Sequence, residues 1–426
     1  MSDGTDLRWP AADFSRVPYP VFNDPGIYAR EQERVFQGPI WCYLALEAEI
    51  PEIGDFKSTF IGDTPVVVNR NNDGVIHAFV NRCAHRGTML VREPFGTTQD
   101  HTCIYHHWCY DLAGNLIGVP FERGIRGKGG MPETFDKRNH GLQTLNVATY
   151  RGVIFGSFSH EVESLESFLD KPNMEYLDTM FNRPIEILGH WRQRIPGNWK
   201  FYFENLMDSY HAGLLHQFQT TFGIMRTTQR GGSKMDRLKR HRVLFTVYDS
   251  DDLEASDEQL LKNLGVYDDT LSLADPSMIE FRDEVGDGCA IMMMALFPSV
   301  IFQRLSNTLA TRQIRPRGPN EFELNWTCFA YADDDESLRK LRLKQVNMIG
   351  PAGYVSIEDG EAGALIQRVI GRERDRYSVI EMGGLGPIED PDSPLTEVPV
   401  RGFWRYYCHL MGYQAEGAPA WVPGEA

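Results

Sequence analysis

The chain has 426 residues, a formal charge of −16, and 42% hydrophobic and 24% charged residues. That length buries a sizeable core and suits two or three domains, while the negative balance argues against nucleic acid or an anionic membrane as the main partner. Seven scattered cysteines, an acidic start without an apolar signal core and the lack of any run of 18 apolar residues point to a cytoplasmic protein using thiols and metal ligands rather than a disulfide framework.

Residues 1–37 are dotted with prolines and end in a short helical stretch, EQERVF (31–36). From Trp41 to Phe158 the pattern is strand and turn. TPVVVNR and VIHAFVN flank Asn71-Asn72-Asp73-Gly74, and Ala113-Gly114-Asn115 lies between two short apolar runs; both are hairpin signals. TYRGVIFGSF (149–158) closes this region. Helical patterns follow at 161–180 and 198–220. The basic run RTTQRGGSKMDRLKRHR (226–242) and the acidic run SDDLEASDE (250–258) read as solvated surface. SVIFQRLSN, TLATRQIRP and EFELNWTCFAY (299–331) predict three successive antiparallel strands, then DESLRKLRLKQVNMIG a charged helix, with a last apolar helix after Pro399. The expected fold is α+β. An all-β domain at 38–160 is inserted before a catalytic domain at 161–426 whose antiparallel sheet is covered by helices, and residues 1–37 pack on that second domain.

Cys83-Ala84-His85 and Cys103-Ile104-Tyr105-His106 form C-x-H, seventeen residues, then C-x-x-H. Two thiolates and two imidazoles can close a tetrahedral zinc site. They can equally hold a [2Fe–2S] cluster, with both cysteines on one iron and both histidines on the other. Zinc ribbons usually repeat C-x-x-C or pair Cys with Cys. Here each loop supplies one cysteine and one histidine, so each iron draws a ligand from both loops. The arrangement resembles the Rieske motif. In that motif His106 is the ligand, and His107 takes the place usually filled by glycine. There it bears on electron entry or local strain, or is a surface residue without a role. Rieske proteins of respiratory complexes carry an extra cysteine in each loop, where this chain has Thr88 and Tyr105. The resemblance therefore implies no bridging disulfide and a low potential, suited to a reductase or ferredoxin as donor. Cys109 lies outside the motif and reads as a buried thiol.

Residues 204–216 read ENLMDSYHAGLLH. His211 and His216 are five apart, about 140° on a regular helix and wrong for one metal. The spacing works if the helix is broken or π-bulged, and Gly213 lies inside the interval. Two neutral histidines and a carboxylate would leave three positions open on Fe(II). Alone, such a pair is more often structural; beside the first motif it becomes a candidate site.

Together these features resemble the large α subunit of the Rieske non-haem iron aromatic-ring-hydroxylating oxygenases, over essentially the whole chain. The D-x-Y-H-x4-H pattern is met by Asp208, Tyr210, His211 and His216. The resemblance implies a third iron ligand, an aspartate after a G-P-A-G turn. Gly350-Pro351-Ala352-Gly353 is followed by SIEDG, so Asp359 matches, with Glu358 and Glu361 as neighbouring rivals. It also implies that Asp208 binds no iron but joins a Rieske histidine of a neighbouring subunit to an iron-bound histidine of its own, so that electrons cross between subunits of an α3 ring. The ordinary alternative for Asp208 is a helix cap or an exposed acid. The implied cofactors are a Rieske [2Fe–2S] cluster and a mononuclear Fe(II). The implied partners are a small β subunit in an α3β3 assembly and an NAD(P)H-dependent reductase, with or without a ferredoxin. No nicotinamide or flavin motif is recognisable in the chain itself.

In TLATRQIRP, strand alternation puts Arg312 on a face with Ala310 and Ile314. An arginine on an apolar face needs an anion, either a protein carboxylate or a substrate carboxylate held bidentately. Stretches such as GDTPVVVNR, RQRIPGNWKFYFEN and EVPVRGFWRYY resemble the family's oxygenases of benzoate-type acids, which act on terephthalate, salicylate and anthranilate. In the terephthalate enzymes two arginines grip two carboxylates, and Arg312 and Arg401 match them. The salicylate enzymes look to carry similar arginines, and Arg401 alone reads equally as a surface residue. The expected reaction is cis-dihydroxylation of terephthalate, with 5-hydroxylation of salicylate or dioxygenation of anthranilate as alternatives. A Rieske electron carrier without an oxygenase centre, or a zinc-stabilised binding protein, are the readings from other classes.

Overall fold

Asn71 turns the chain between the strands Thr64–Arg70 and Ile76–Val80. Its side-chain oxygen accepts the N–H groups of Asp73 and Val75, both at 2.9 Å, and Gly74 takes φ +78°. The second expected hairpin joins Cys109–Tyr110 to Leu116–Gly118, with Asp111 in the role of Asn71 and Gly114 at φ +88°. A third joins Asn146–Tyr150 to Val153–Ser157 through Arg151-Gly152, both at positive φ. These hairpins build Phe36–Phe168 of the computed structural model into one unit of short antiparallel sheets. The structure describes residues 7–248, 254–415 and 417.

A second unit comprises the chain up to Val35 and from Leu169 onward. Its framework is a seven-stranded antiparallel sheet in the order Ile185–Ile195, Phe322–Tyr331, Thr308–Pro316, Val300–Leu305, Cys289–Leu296, Arg242–Val247, Gly231–Met235. The three strands expected at 299–331 are present and pair in succession. The helix Trp199–Met207 packs on this sheet and against the helices Tyr354–Ile370 and Val398–Met411. The N-terminal stretch joins the same unit. Arg16–Pro18 pairs with Tyr377–Val379, Trp9 rests on Trp404 at 5.3 Å, and buried Glu31 accepts from Lys200 Nζ at 2.6 Å and Trp199 Nε1 at 2.9 Å.

Several elements differ from the sequence reading. EQERVF is a π-helical turn, Gln32–Phe36, continuing a helix over Pro25–Glu31 that Asp24 caps by accepting from Gly26 and Ile27 N–H. Leu165–Met180 is kinked at Asp170 (φ +60°), just ahead of Pro172. The basic run 226–242 is not a solvated loop. It contains a strand, and Arg226, Arg240, His241 and Arg242 are buried. Their charges and polar groups are taken up internally; Arg240, for example, pairs with Asp236 at 3.0 Å. The acidic run behaves as expected from Glu254 on, while 250–253 lie outside the described residues. The helix Tyr354–Ile370, not foreseen, carries Asp359. Among the described residues no helix is long and apolar enough to cross a membrane.

Candidate functional site

The first cluster of donors sits on two loops built alike. Cys83 N–H donates to the Thr88 carbonyl (2.8 Å), and Gly87 N–H returns to the Cys83 carbonyl (3.0 Å). Twenty residues on, Cys103 N–H donates to Trp108 (2.8 Å) and His107 N–H to Cys103 (2.9 Å). The closing residue has positive φ in both, +76° at Gly87 and +56° at His107. His107 thus occupies the position where the loop demands a left-handed backbone. The cysteines are 2% exposed, whereas His85 and His106 are exposed and their rings lie 4.6 Å apart. Sulfurs inside and imidazoles outside make a segregated donor set, which suits two irons with different ligands. Two supporting residues were not foreseen. Trp108 stacks flat on His85 at 4.6 Å, and the Tyr110 hydroxyl lies 3.2 Å from Cys83 Sγ while accepting Ala84 N–H at 3.0 Å. Both follow the C-x-x-H motif directly, so the only sequence signal was proximity. Cys109 is half-buried on a strand beside Gly118 rather than fully buried.

The second cluster depends on a helix that breaks twice. Trp199–Met207 ends, Asp208–His211 turns, Ala212–Leu215 makes one helical turn, and His216 leaves the helix at φ −93°, ψ 74° before Gln217–Thr221 resumes. The break is not at Gly213. That glycine is needed because a Cβ there would approach Thr227 Cγ2 to 2.5 Å and Thr227 N to 2.9 Å. What holds the first break is Asp208 together with Arg242. One Asp208 oxygen accepts the N–H groups of Tyr210 (2.6 Å) and His211 (3.4 Å), and the other lies 3.1 Å from His211 Nδ1. Arg242, from the basic run, donates to the Leu206 carbonyl (3.1 Å), Ser209 Oγ (2.8 Å) and Ser233 Oγ (2.7 Å). Burial pushes its pKa down to about 10, against the pull of Asp208.

The two breaks bring His211 and His216 onto Asp359. One ligand atom from each of the three residues lies within 4.8 Å of the others. Asp359 Oδ1 is 3.5 Å from His211 Nε2 and 3.3 Å from His216 Nε2. Behind His216, Glu358 Oε2 is 2.7 Å from Nδ1, and Glu361 faces outward. Each imidazole therefore has a carboxylate at Nδ1, which favours a proton there and turns Nε2 toward Asp359, the side on which a metal would bind. Asn205 Nδ2 bridges His211 Nε2 and Asp359 Oδ1 at 3.1 Å each. Burial drives the His211 pKa down, but Asp208 and Asp359 outweigh it and raise it to about 10. His216 is likewise raised by Asp359 and Glu358 against burial, and Asp359, despite burial, is held below the usual carboxylate range by the two imidazoles. Three carboxylates around two imidazoles attract positive charge to the point where the Nε2 atoms converge. The donor set fits Fe(II) in a two-histidine, one-carboxylate site.

Beside this cluster lies a pocket whose apolar wall includes Leu206, Met225, Leu244, Ile291 and Leu305, and Arg312 also lines it. Arg312 is 1% exposed. It donates to the Tyr202 hydroxyl (2.8 Å) and to the Gln303 side chain, and its guanidinium stands 4.4 Å over Trp326. Arg401 is not brought to this pocket. It is 2% exposed, neither surface nor pocket, and donates to the carbonyls of Asp13 (3.2 Å) and Gly386 (2.9 Å).

Residues 183–412 match the family described as the ring hydroxylating alpha subunit catalytic domain, and residues 40–135 match the Rieske [2Fe-2S] domain. The chain is 47% identical over 412 residues to the anthranilate 1,2-dioxygenase large subunit of Burkholderia cepacia, covering 96% of this chain and 97% of that one. It is 42% identical to terephthalate 1,2-dioxygenase, terminal oxygenase component subunit alpha 2, of Comamonas sp. (96% and 98% covered). It is 41% identical to the salicylate 5-hydroxylase large oxygenase component of Ralstonia sp. (96% and 97%). Among solved structures, naphthalene 1,2-dioxygenase from Rhodococcus sp. superposes with a TM-score of 0.77 at 26% identity, covering 93% of this chain and 94% of that one.

Proposed function

The chain belongs to the Rieske-type ring-hydroxylating oxygenase α subunits, enzymes with a [2Fe–2S] cluster and a mononuclear iron, and we propose that its own substrate is a benzoate-type aromatic acid held through its carboxylate by Arg312. One observation carries this. A buried arginine lines the pocket beside His211, His216 and Asp359, its hydrogen-bond partners Tyr202 and Gln303 are neutral, and its Nε has none among the described residues. A buried cation without an anion is costly, so a ligand carboxylate belongs beside it. The relatives named for anthranilate, terephthalate and salicylate support the same substrate class.

Cys83, His85, Cys103 and His106 would hold the cluster, and His211, His216 and Asp359 the iron. When bound, the cluster passes electrons singly and the iron activates O2 for insertion into the ring. Asp208 and Glu358 hold the imidazoles through Nδ1, so that both present Nε2. Arg312 anchors the acid, and the apolar wall keeps water from the ring. The Asp208 side chain is 18% exposed, which leaves it within reach of a neighbouring subunit. On this reading, an NAD(P)H-dependent reductase, with or without a ferredoxin, would supply the electrons, and Asp208 would join a cluster-holding histidine of a neighbouring subunit to His211 of its own. The assembly would be an α3 ring or, with a small β subunit, α3β3. Terephthalate, salicylate and anthranilate all offer the carboxylate, and differ in their second substituent.

Anaerobic spectroscopy with iron and sulfide analysis tests the reading. A bleachable Rieske spectrum with three irons and two sulfides per chain is expected. Arg312→Ala should weaken benzoate binding by ~2–5 kcal/mol. A colourless zinc protein, or an unchanged Kd in that variant, overturns it.

A further inference from the structure

We infer that the substrate's second substituent is a neutral hydrogen-bonding group, an amine or a hydroxyl, met by Gln219, and that dicarboxylates are rejected. The inference rests on the proposed contact between Arg312 and the substrate carboxylate. Gln219 lies three residues past His216 on Gln217–Thr221, is 2% exposed, and lines the same pocket as Arg312 and the three donors. Its backbone carbonyl accepts the N–H groups of Ile224 (2.9 Å) and Met225 (3.4 Å), which fixes the residue in place. Its side-chain amide makes no hydrogen bond among the described residues. An amide that lines the pocket with no protein partner among the described residues is open to a ligand group that pairs with it. Because the amide both donates and accepts, an amino or a hydroxyl group satisfies it.

The same pocket has too little positive charge for a second carboxylate. Among its described lining residues Arg312 is the one lysine or arginine. Three other buried arginines are committed elsewhere: Arg242 to Leu206, Ser209 and Ser233, Arg304 to Asp287, and Arg401 to the Asp13 and Gly386 carbonyls. A second carboxylate would lose its water among Leu244, Ile291, Met293 and Leu305, with only a neutral amide in return. An aromatic monocarboxylate with a neutral polar group matches both features, one cation and one amide.

The test is calorimetric, on the iron-loaded protein under anaerobic conditions, with benzoate, anthranilate, salicylate and terephthalate as ligands. Anthranilate or salicylate should bind at least about tenfold more tightly than benzoate, and which of the two does so separates amine from hydroxyl. Terephthalate should bind at least about tenfold more weakly than the preferred acid. Gln219→Met should bring the preferred acid to within about twofold of benzoate; Gln219→Asn, a milder change that withdraws the same amide, should do likewise. Terephthalate binding as tightly as the preferred acid, or a preference that survives both variants, overturns the inference. Arg312→Ala distinguishes the two levels. If it weakens all four ligands, a failure at Gln219 is confined to the second substituent. If it changes none, the carboxylate reading fails and this inference falls with it.

Discussion

The two donor clusters are built on opposite plans. At the Cys83 and Cys103 loops, every donor and every supporting backbone bond comes from two short segments, and each loop closes on itself. At His211 and His216, the third donor arrives on another helix, and the break that aims the histidines is held by an arginine from a sheet strand. A site closed by local bonds tolerates change elsewhere in the fold. A site assembled by packing inherits the stability of everything that positions it. The two should therefore respond differently to substitution.

The largest separation is expected from Asp359→Ala. Iron should fall from three to two per chain and ring hydroxylation should cease, while the reduced and oxidised cluster spectra stay as they were. Loss of the cluster spectrum in that variant would show that the two sites are not independent. Asp208 comes next. Asp208→Asn keeps an oxygen to cap Tyr210 and His211 but weakens the hold on Nδ1; Asp208→Ala removes both. Coupled turnover should be lost in both with the cluster still reducible, and the alanine variant should lose a further ~1 kcal/mol of stability for the missing cap. Turnover near the wild-type rate in Asp208→Asn would remove Asp208 from the electron path.

Arg242→Leu probes the assembled site from a distance. It leaves the Leu206 carbonyl and two buried hydroxyls without their donor, so urea denaturation should show a loss of roughly 2–4 kcal/mol. The iron should also bind about 10- to 100-fold more weakly, because the turn that aims His211 loosens. Unchanged iron affinity would mean that Asp208 alone sets the break. Tyr110→Phe is the matching change at the local site. It removes one hydrogen bond to Cys83 Sγ, so the cluster potential should fall by roughly tens of millivolts, the scale of ~1 kcal/mol on a one-electron couple, with the catalytic iron unaffected.

The same contrast explains what was legible in the sequence. C-x-H and C-x-x-H point to their candidate donors because the loops are local, and the two expected hairpins were readable because Asn71, Asp111 and the glycines that follow them carry the turns within a few residues. His211 and His216 could be named as a pair, but their spacing left open how one metal could reach both. The answer lay in Asp208, Ser209 and Arg242, and charge patterning had assigned the segment holding Arg242 to the surface. A run of like charges says nothing about whether carbonyls and hydroxyls wait to receive them. Asp359 and Glu358 were adjacent candidates until the helix face was known; one turned to Nε2 and the other to Nδ1. The resemblance offered both Arg312 and Arg401 as carboxylate partners, although Arg401 alone read equally as surface, and only packing separates the one lining the pocket from the one tied to backbone carbonyls.

The smallest predicted effect concerns the residue that closes each of the two local loops. Gly87 and His107 close equivalent turns at φ +76° and +56°, and a Cβ at Gly87 would meet nothing within 4 Å. Space is therefore not the issue, and the cost of a side chain there is that of a left-handed backbone, ~1–2 kcal/mol. Gly87→Ala should lower the stability of this unit by about that amount. The reverse change gains less, because glycine gives back ~0.5–1 kcal/mol through the freedom it adds to the unfolded chain. His107→Gly should thus raise stability by no more than ~1 kcal/mol, read as the temperature at which the cluster's visible absorbance is lost. The potential decides what the histidine is for. If His107→Gly shifts the melting temperature and leaves the potential alone, the imidazole is a tolerated strain at an exposed turn. If the potential moves and stability does not, His107 acts on the cluster's charge, and the loop has kept a strained residue for electron entry.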